Sequence, residues 1–149
     1  MVKLITTFFY SGYLPFIPGT FGSIAGIILY YLVRNSPYLY IGALLAVILL
    51  GFLFCGKAEQ AFAKKDPKYV VIDEVAGMLL GLGFLPHDWR LVVMGFFVFR
   101  LLDTIKPFPA NGLQNKHGGL GIMADDLVAG IYTNLVLQAV CRMISPSGW

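Results

Sequence analysis

The chain has 149 residues, 58% of them hydrophobic and only 13% charged, with a formal net charge of +3 and a mean hydropathy of +0.75. This composition excludes disorder and does not suit a compact soluble globule, in which about 25% of residues are charged. It fits a single domain whose solvent is the bilayer, and the charge is too small to argue for nucleic acid as a partner.

The amino end, MVKLITTFFYSGYLP, has one lysine and a brief apolar run but no small-residue cleavage site. It reads as an interfacial segment rather than a secretory signal. Thr20 to Val33 is uncharged but carries Gly22 and Gly26, which predicts a short helix with Thr20 as its N-cap. From Asn35 to Gly56, 22 residues pass without a charge. About 20 apolar residues cross the hydrocarbon core, so Tyr38 to Cys55 is the clearest span, with tyrosines at one interface. Further spans are expected at Val75–Leu85, Leu91–Leu102 and Leu127–Ile144, the first two short enough to be re-entrant. The expected fold class is all-α: a multi-pass membrane bundle of about five hydrophobic helices. Cys55 and Cys141 lie in apolar stretches without CxxC spacing, as reduced packing residues would.

Loop charge sets the orientation. Lys57, Lys64, Lys65 and Lys68 follow the second span, Lys106 and Lys116 follow the fourth, and Lys3 precedes the first. The opposite side receives Arg34, Arg90 and Arg142. By the positive-inside rule the lysine-rich side is cytoplasmic. On that same side Asp73 and Glu74 begin the third span, Arg100 and Asp103 end the fourth, and Asp125 and Asp126 begin the fifth. Glu59 and Asp66 sit in the first basic loop, and Asp88 alone is left on the far side.

Ionisable groups at membrane depth are costly and face a cavity, a partner or a functional site. One acid of each pair, Asp73–Glu74 and Asp125–Asp126, could cap a helix N-terminus. Asp103 does not fit that role. It stands at the unfavourable dipole end of its helix, just before Lys106–Pro107, with Arg100 one turn away to pair with it. If these acids converge, a hard divalent cation held by oxygen ligands offsets their repulsion, most plausibly Mg²⁺. Zinc is disfavoured because His87 and His117 are isolated and neither cysteine is near an acid in sequence. Two glycine-bearing stretches, Pro18 to Ser23 and Gly118 to Gly121, border the same face. The first could offer helix N–H groups to a phosphate, the second a close backbone approach to a ligand. Lys106 is a further candidate phosphate ligand.

Four blocks together resemble bacterial phosphatidylglycerophosphatase A: PGTFGSIAG (Pro18–Gly26), VIDEVAGM (Val71–Met78), FRLLDTIKPFP (Phe99–Pro109) and GGLGIMADDLVAG (Gly118–Gly130). The resemblance implies an all-helical membrane enzyme that uses Mg²⁺ to remove the terminal phosphate of phosphatidylglycerophosphate, giving phosphatidylglycerol. Its site residues would be Asp73, Glu74, Asp103 and Asp126 in catalysis. Asp73, Glu74, Asp103, Asp125 and Asp126 would hold metal, and Arg100, Lys106, Thr20 and Ser23 the substrate phosphate. The carboxyl-terminal SPSGW lies outside the resemblance.

The residues agree with this chemistry by exclusion as well. A cysteine phosphatase needs an arginine six residues after its thiolate, where Cys55 has Ala61 and Cys141 has Ser147. Histidine-dependent lipid phosphatases need two histidines, and SPSGW has Trp149 where their motif requires one. Metal-assisted attack by water on a phosphomonoester remains. The alternatives are a small ion or solute transporter with intramembrane acids, another Mg²⁺-dependent lipid headgroup enzyme, and a non-catalytic assembly factor. No inverted repeat supports the first, and the DGxxAR signature of phosphoalcohol transferases is absent.

Overall fold

A computed structural model describes residues 1–13, 17–63, 67–113 and 118–144. Readings that rest on Lys64, Lys65, Asp66, Lys116, His117 or SPSGW lie outside the described residues. The described residues form helices α1 (Val2–Thr6), α2 (Pro18–Val33), α3 (Pro37–Ala61), α4 (Ile72–Leu82), α5 (Trp89–Ile105), α6 (Ala110–Leu113) and α7 (Gly119–Ile144), with a 3₁₀ turn at Ser11–Tyr13 and no strand. The all-α class expected from composition holds.

Local chemistry explains the starts and stops. Proline opens α2 and α3, where its missing N–H costs nothing and its fixed φ favours the helix. Ser36 caps α3, and Asp88 caps α5 by accepting from the Arg90 amide at 2.8 Å. Helix α5 stops at Lys106, which turns left-handed at φ 51°, and Pro107 follows.

Five hydrophobic helices stand where five spans were expected, but their lengths differ from the expectation. Among the described residues only α3 and α7 are long and apolar enough to cross a membrane. Helix α4 has 11 residues and ends at Gly83, where the chain turns extended, and α2 and α5 have 16 and 17. Two starts also shift. Helix α7 begins at Gly119 rather than Leu127, so Asp125 and Asp126 lie well inside it and neither is a cap. The N-cap of α2 is Ile17, so Thr20 is an interior residue of the first turn.

Helix α4 is the hub. It packs against α2, α3, α5 and α7, and every residue from Ile72 to Leu82 except Glu74 and Leu80 is buried. A short helix that is apolar on every side is stable only in such a position. Helix α3 is the reverse. Leu39, Leu45, Leu49 and Leu53 are exposed along it, an uninterrupted apolar face that water would not tolerate and lipid would. The amino segment is tied in by α1 against α3 and by the Val71 amide donating to the Thr6 carbonyl at 2.9 Å.

Helices α4 and α7 cross in near contact. A Cβ at Gly77 would lie 2.6 Å from the Asp126 carbonyl oxygen and 2.6 Å from the Phe99 ring. Gly77→Val is therefore expected to force the helices apart and cost about 1–3 kcal/mol, read as a lower thermal unfolding midpoint in mild detergent. Gly42→Val, where a side chain meets open space, should leave the midpoint nearly unchanged. Equal midpoints for both variants would contradict the close crossing.

Candidate active site

The crossing of α4 and α7 sets the position of the acids. The first turn of α4 supplies Asp73 and Glu74, the last two turns of α5 supply Arg100 and Asp103 with Lys106 just beyond, and α7 supplies Asp125 and Asp126. All seven line one cavity of about 230 Å³, which the start of α2 closes with Pro18 and Gly19. Asp73, Asp125 and Asp126 are buried, so the cluster sits below the surface rather than on it.

Two ion pairs organise the cations. Arg100 Nη1 donates to Asp103 Oδ2 at 2.9 Å, the pairing that the i, i+3 spacing anticipated. Lys106 Nζ donates to Asp125 Oδ2 at 2.6 Å. Burial disfavours the Lys106 ammonium, but the hydrogen bond to Asp125 and the charges of Asp125, Asp103 and Asp126 outweigh it, so its pKa is raised. The left-handed backbone at Lys106 is uncommon for a residue with a side chain.

The remaining oxygens converge. Asp73, Glu74 and Asp126 bring one oxygen each within 4.8 Å of one another, and so do Asp103, Asp125 and Asp126. Asp126 belongs to both groups. Glu74 Oε2 is buried with no hydrogen-bond partner among the described residues. A buried carboxylate oxygen in that state costs about 1–3 kcal/mol or more unless a cation meets it. The donor set, carboxylate oxygen throughout, fits a hard divalent ion such as Mg²⁺ and not zinc.

The structure brings together Asp73, Glu74, Arg100, Asp103, Lys106, Asp125 and Asp126. It does not bring Thr20 or Ser23 to the cavity wall: the buried Ser23 hydroxyl donates to the Gly19 carbonyl at 3.0 Å, and Gly19 itself faces the site. In the Gly118–Gly121 stretch, Gly119 lies against the Phe52 carbonyl of α3. Two residues were not anticipated. Lys68, read only as a topology lysine, lines the cavity. Glu59, read as a loop acid, extends α3 and accepts from the Gly118 amide at 3.1 Å, anchoring the start of α7.

The phosphatidylglycerophosphatase A family model matches residues 4–141. The chain belongs to that family. It is 39% identical to phosphatidylglycerophosphatase A of Escherichia coli strain K12, over 92% of this chain and 81% of the relative. A Haemophilus influenzae protein of the same name is 34% identical over 93% of this chain and 88% of its own. A Bacteroides thetaiotaomicron protein provisionally named phosphatidylinositol-3-phosphatase is 37% identical over 95% and 93%. No solved structure matches the chain. Membership makes it a phosphatase and agrees with the resemblance read from the four blocks.

Gly19 offers a direct test of the site's geometry. A Cβ there would lie 2.7 Å from Glu74 Oε1 and 2.9 Å from Arg100 Nη1. Gly19→Ala is expected to displace one of them and lower phosphatase turnover by about ten- to a hundredfold, as small misplacements of reacting groups do. Gly112→Ala, in open space, should behave like the parent. Parental turnover in Gly19→Ala would show that the start of α2 does not press on the acids.

Proposed function

We propose that the protein hydrolyses the terminal phosphomonoester of phosphatidylglycerophosphate to phosphatidylglycerol and phosphate, at the cytoplasmic face of the bacterial inner membrane, with Mg²⁺. The observation that carries this reading is the convergence of five carboxylates with Arg100, Lys106 and Lys68 on one cavity, in a chain of this family. Asp73, Glu74 and Asp126, and Asp103, Asp125 and Asp126, are the two sets that would hold the cation. Bound there, Mg²⁺ would supply Lewis-acid polarisation of the phosphoryl oxygens and a more acidic water.

The protein's own groups do the rest. A carboxylate of the cluster accepts the proton of the attacking water, whose oxygen bonds to phosphorus as the bond from phosphorus to the glycerol oxygen breaks. The departing oxygen takes a proton and leaves as the alcohol of phosphatidylglycerol. Arg100 and Lys106, each held by an aspartate on one side, direct their remaining N–H donors to the charge that builds on the phosphoryl oxygens. A lipid kept in the bilayer by its two chains presents its phosphate at the interface, where lysines 57 and 68 favour an anionic headgroup.

The decisive assay is phosphate release by purified protein from a panel that includes phosphatidylglycerophosphate, phosphatidic acid and phosphatidylinositol 3-phosphate. The first is expected to be preferred, with activity lost in EDTA and restored by Mg²⁺. Asp103→Asn keeps the shape and the hydrogen bond from Arg100 but removes the charge. Turnover should fall at least about a hundredfold, roughly 2.7 kcal/mol of transition-state stabilisation. Asp88→Asn, whose carboxylate only caps α5, is the matched control. Full activity in chelator, or parental turnover by well-folded Asp103→Asn, would defeat the mechanism. Preference for the inositol lipid would move the substrate to that of the Bacteroides relative's name.

A further inference from the structure

At the end of the bundle opposite the carboxylates lies a second cavity, of about 120 Å³, between the end of α2, the start of α3 and the α4–α5 connection. Its polar lining includes Arg34, His87 and Tyr30, and Leu82, Phe84 and Leu85 form an apolar wall. Along α2, Gly19 and Arg34 are separated by about 22 Å at 1.5 Å per residue. One lipid headgroup cannot serve both places.

Arg34 is the informative residue. Its guanidinium is always charged and carries five donors. One face lies over the Tyr31 ring, 4.5 Å from the centroid. Its Nε is buried and has no hydrogen-bond partner; the Tyr30 hydroxyl is hydrogen-bonded to the Arg34 side chain, but no carboxylate among the described residues pairs with it. Asp88, the acid that precedes α5, accepts from the Arg90 amide. Tyr40 is neutral and brings no negative charge, and its hydroxyl donates to the Leu79 carbonyl. A permanently charged fork with no carboxylate to neutralise it calls for an anion with two oxygens in one plane, the geometry of phosphate or carboxylate.

The surroundings choose between these anions. Given about 30 Å³ for a water molecule, the cavity holds about four waters or one tetrahedral anion. Around it Leu32, Tyr38, Phe84 and Trp89 are all exposed, the apolar and aromatic set that seats at a membrane–water boundary. Tyr38 also stands at the start of α3, one of the two helices long enough to cross. An occupant must therefore offer an anion to Arg34 and apolar chains to the surface beside it. We propose that this cavity binds the phosphate of a membrane phospholipid from the leaflet opposite the acidic cavity. His87 adds a second donor, and the lipid chains lie along the exposed residues of α2 and α3. The proposal rests on α3 crossing the bilayer and is independent of which phosphomonoester the enzyme cleaves.

The test uses the full chain purified in neutral detergent. Calorimetric titration with dihexanoyl phosphatidylethanolamine is compared with dihexanoylglycerol and with inorganic phosphate, for the parent and Arg34→Gln. The parent is expected to bind the phospholipid at least about tenfold more tightly than Arg34→Gln, the effect of losing a charge-assisted hydrogen bond. Dihexanoylglycerol should not distinguish the two proteins, and phosphatase turnover should be the same in both. Equal phospholipid affinity in parent and variant would overturn the proposal. Inorganic phosphate binding as tightly as the phospholipid would make this a free-anion site and overturn it as well. Should Arg34→Gln fail to fold, Arg34→Lys decides the matter. It keeps the charge but loses the planar fork, and is expected to weaken phospholipid binding by about threefold or more. Undiminished binding by Arg34→Lys would count against the proposal.

Discussion

Mutual repulsion among carboxylates is the constraint around which this protein is built. Five of them line a single cavity with three cations, and several lie within 4.8 Å of one another. At an effective dielectric of 20, two like charges 4 Å apart repel by about 4 kcal/mol. The ion pairs to Asp103 and Asp125 relieve part of this and leave an excess of negative charge. Such a cluster cannot hold itself together. It needs a scaffold stiff enough to keep the acids close when no cation is there to draw them in.

That scaffold is apolar and lies directly beneath the charge. Val75, Ala76, Met78 and Leu79 follow Glu74 along α4 and are fully buried against neighbouring helices. The Gly77 crossing then lets the α7 backbone come close enough to place Asp126 beside Asp73. Further out, Glu59 fixes the start of α7 through the Gly118 amide. The helices that carry the acids are thus positioned by packing and by a hydrogen bond remote from the cavity, as a preorganised site requires.

Much of this was legible in the sequence, and the failures have physical causes. The acids could be read because charge is rare in this chain, so each carboxylate stood out against an apolar background. Asp103 could be singled out from dipole direction alone, and its pairing with Arg100 followed from helical spacing. Helix ends were harder. The start of α7 is hard to place because Gly118 and Gly119 look like turn residues, whereas Gly119, without a side chain, packs closely on the Phe52 carbonyl of α3. Thr20 looks like a cap, yet Pro18 starts the helix earlier. Lys68 and Glu59 were hidden for another reason. A lysine in a basic loop has a sufficient topological explanation, and only tertiary structure reveals a second one.

The unequal helix lengths have a consequence for the membrane itself. From Trp89 to Asp103 along α5 is about 21 Å, whereas the 25 residues of α3 extend about 37 Å. The hydrocarbon core is about 30 Å thick. If the far ends of both helices lie near one interface, as the proposed placement has them, the acids stand several ångströms short of the other. That shortfall must be taken up by tilt, by headgroups drawn inward, or by water admitted over the cavity, at fractions of a kcal/mol per ångström. On that placement the distance a headgroup must descend to reach the carboxylates depends on bilayer thickness, and acyl-chain length in the surrounding lipid becomes a variable of the proposed reaction.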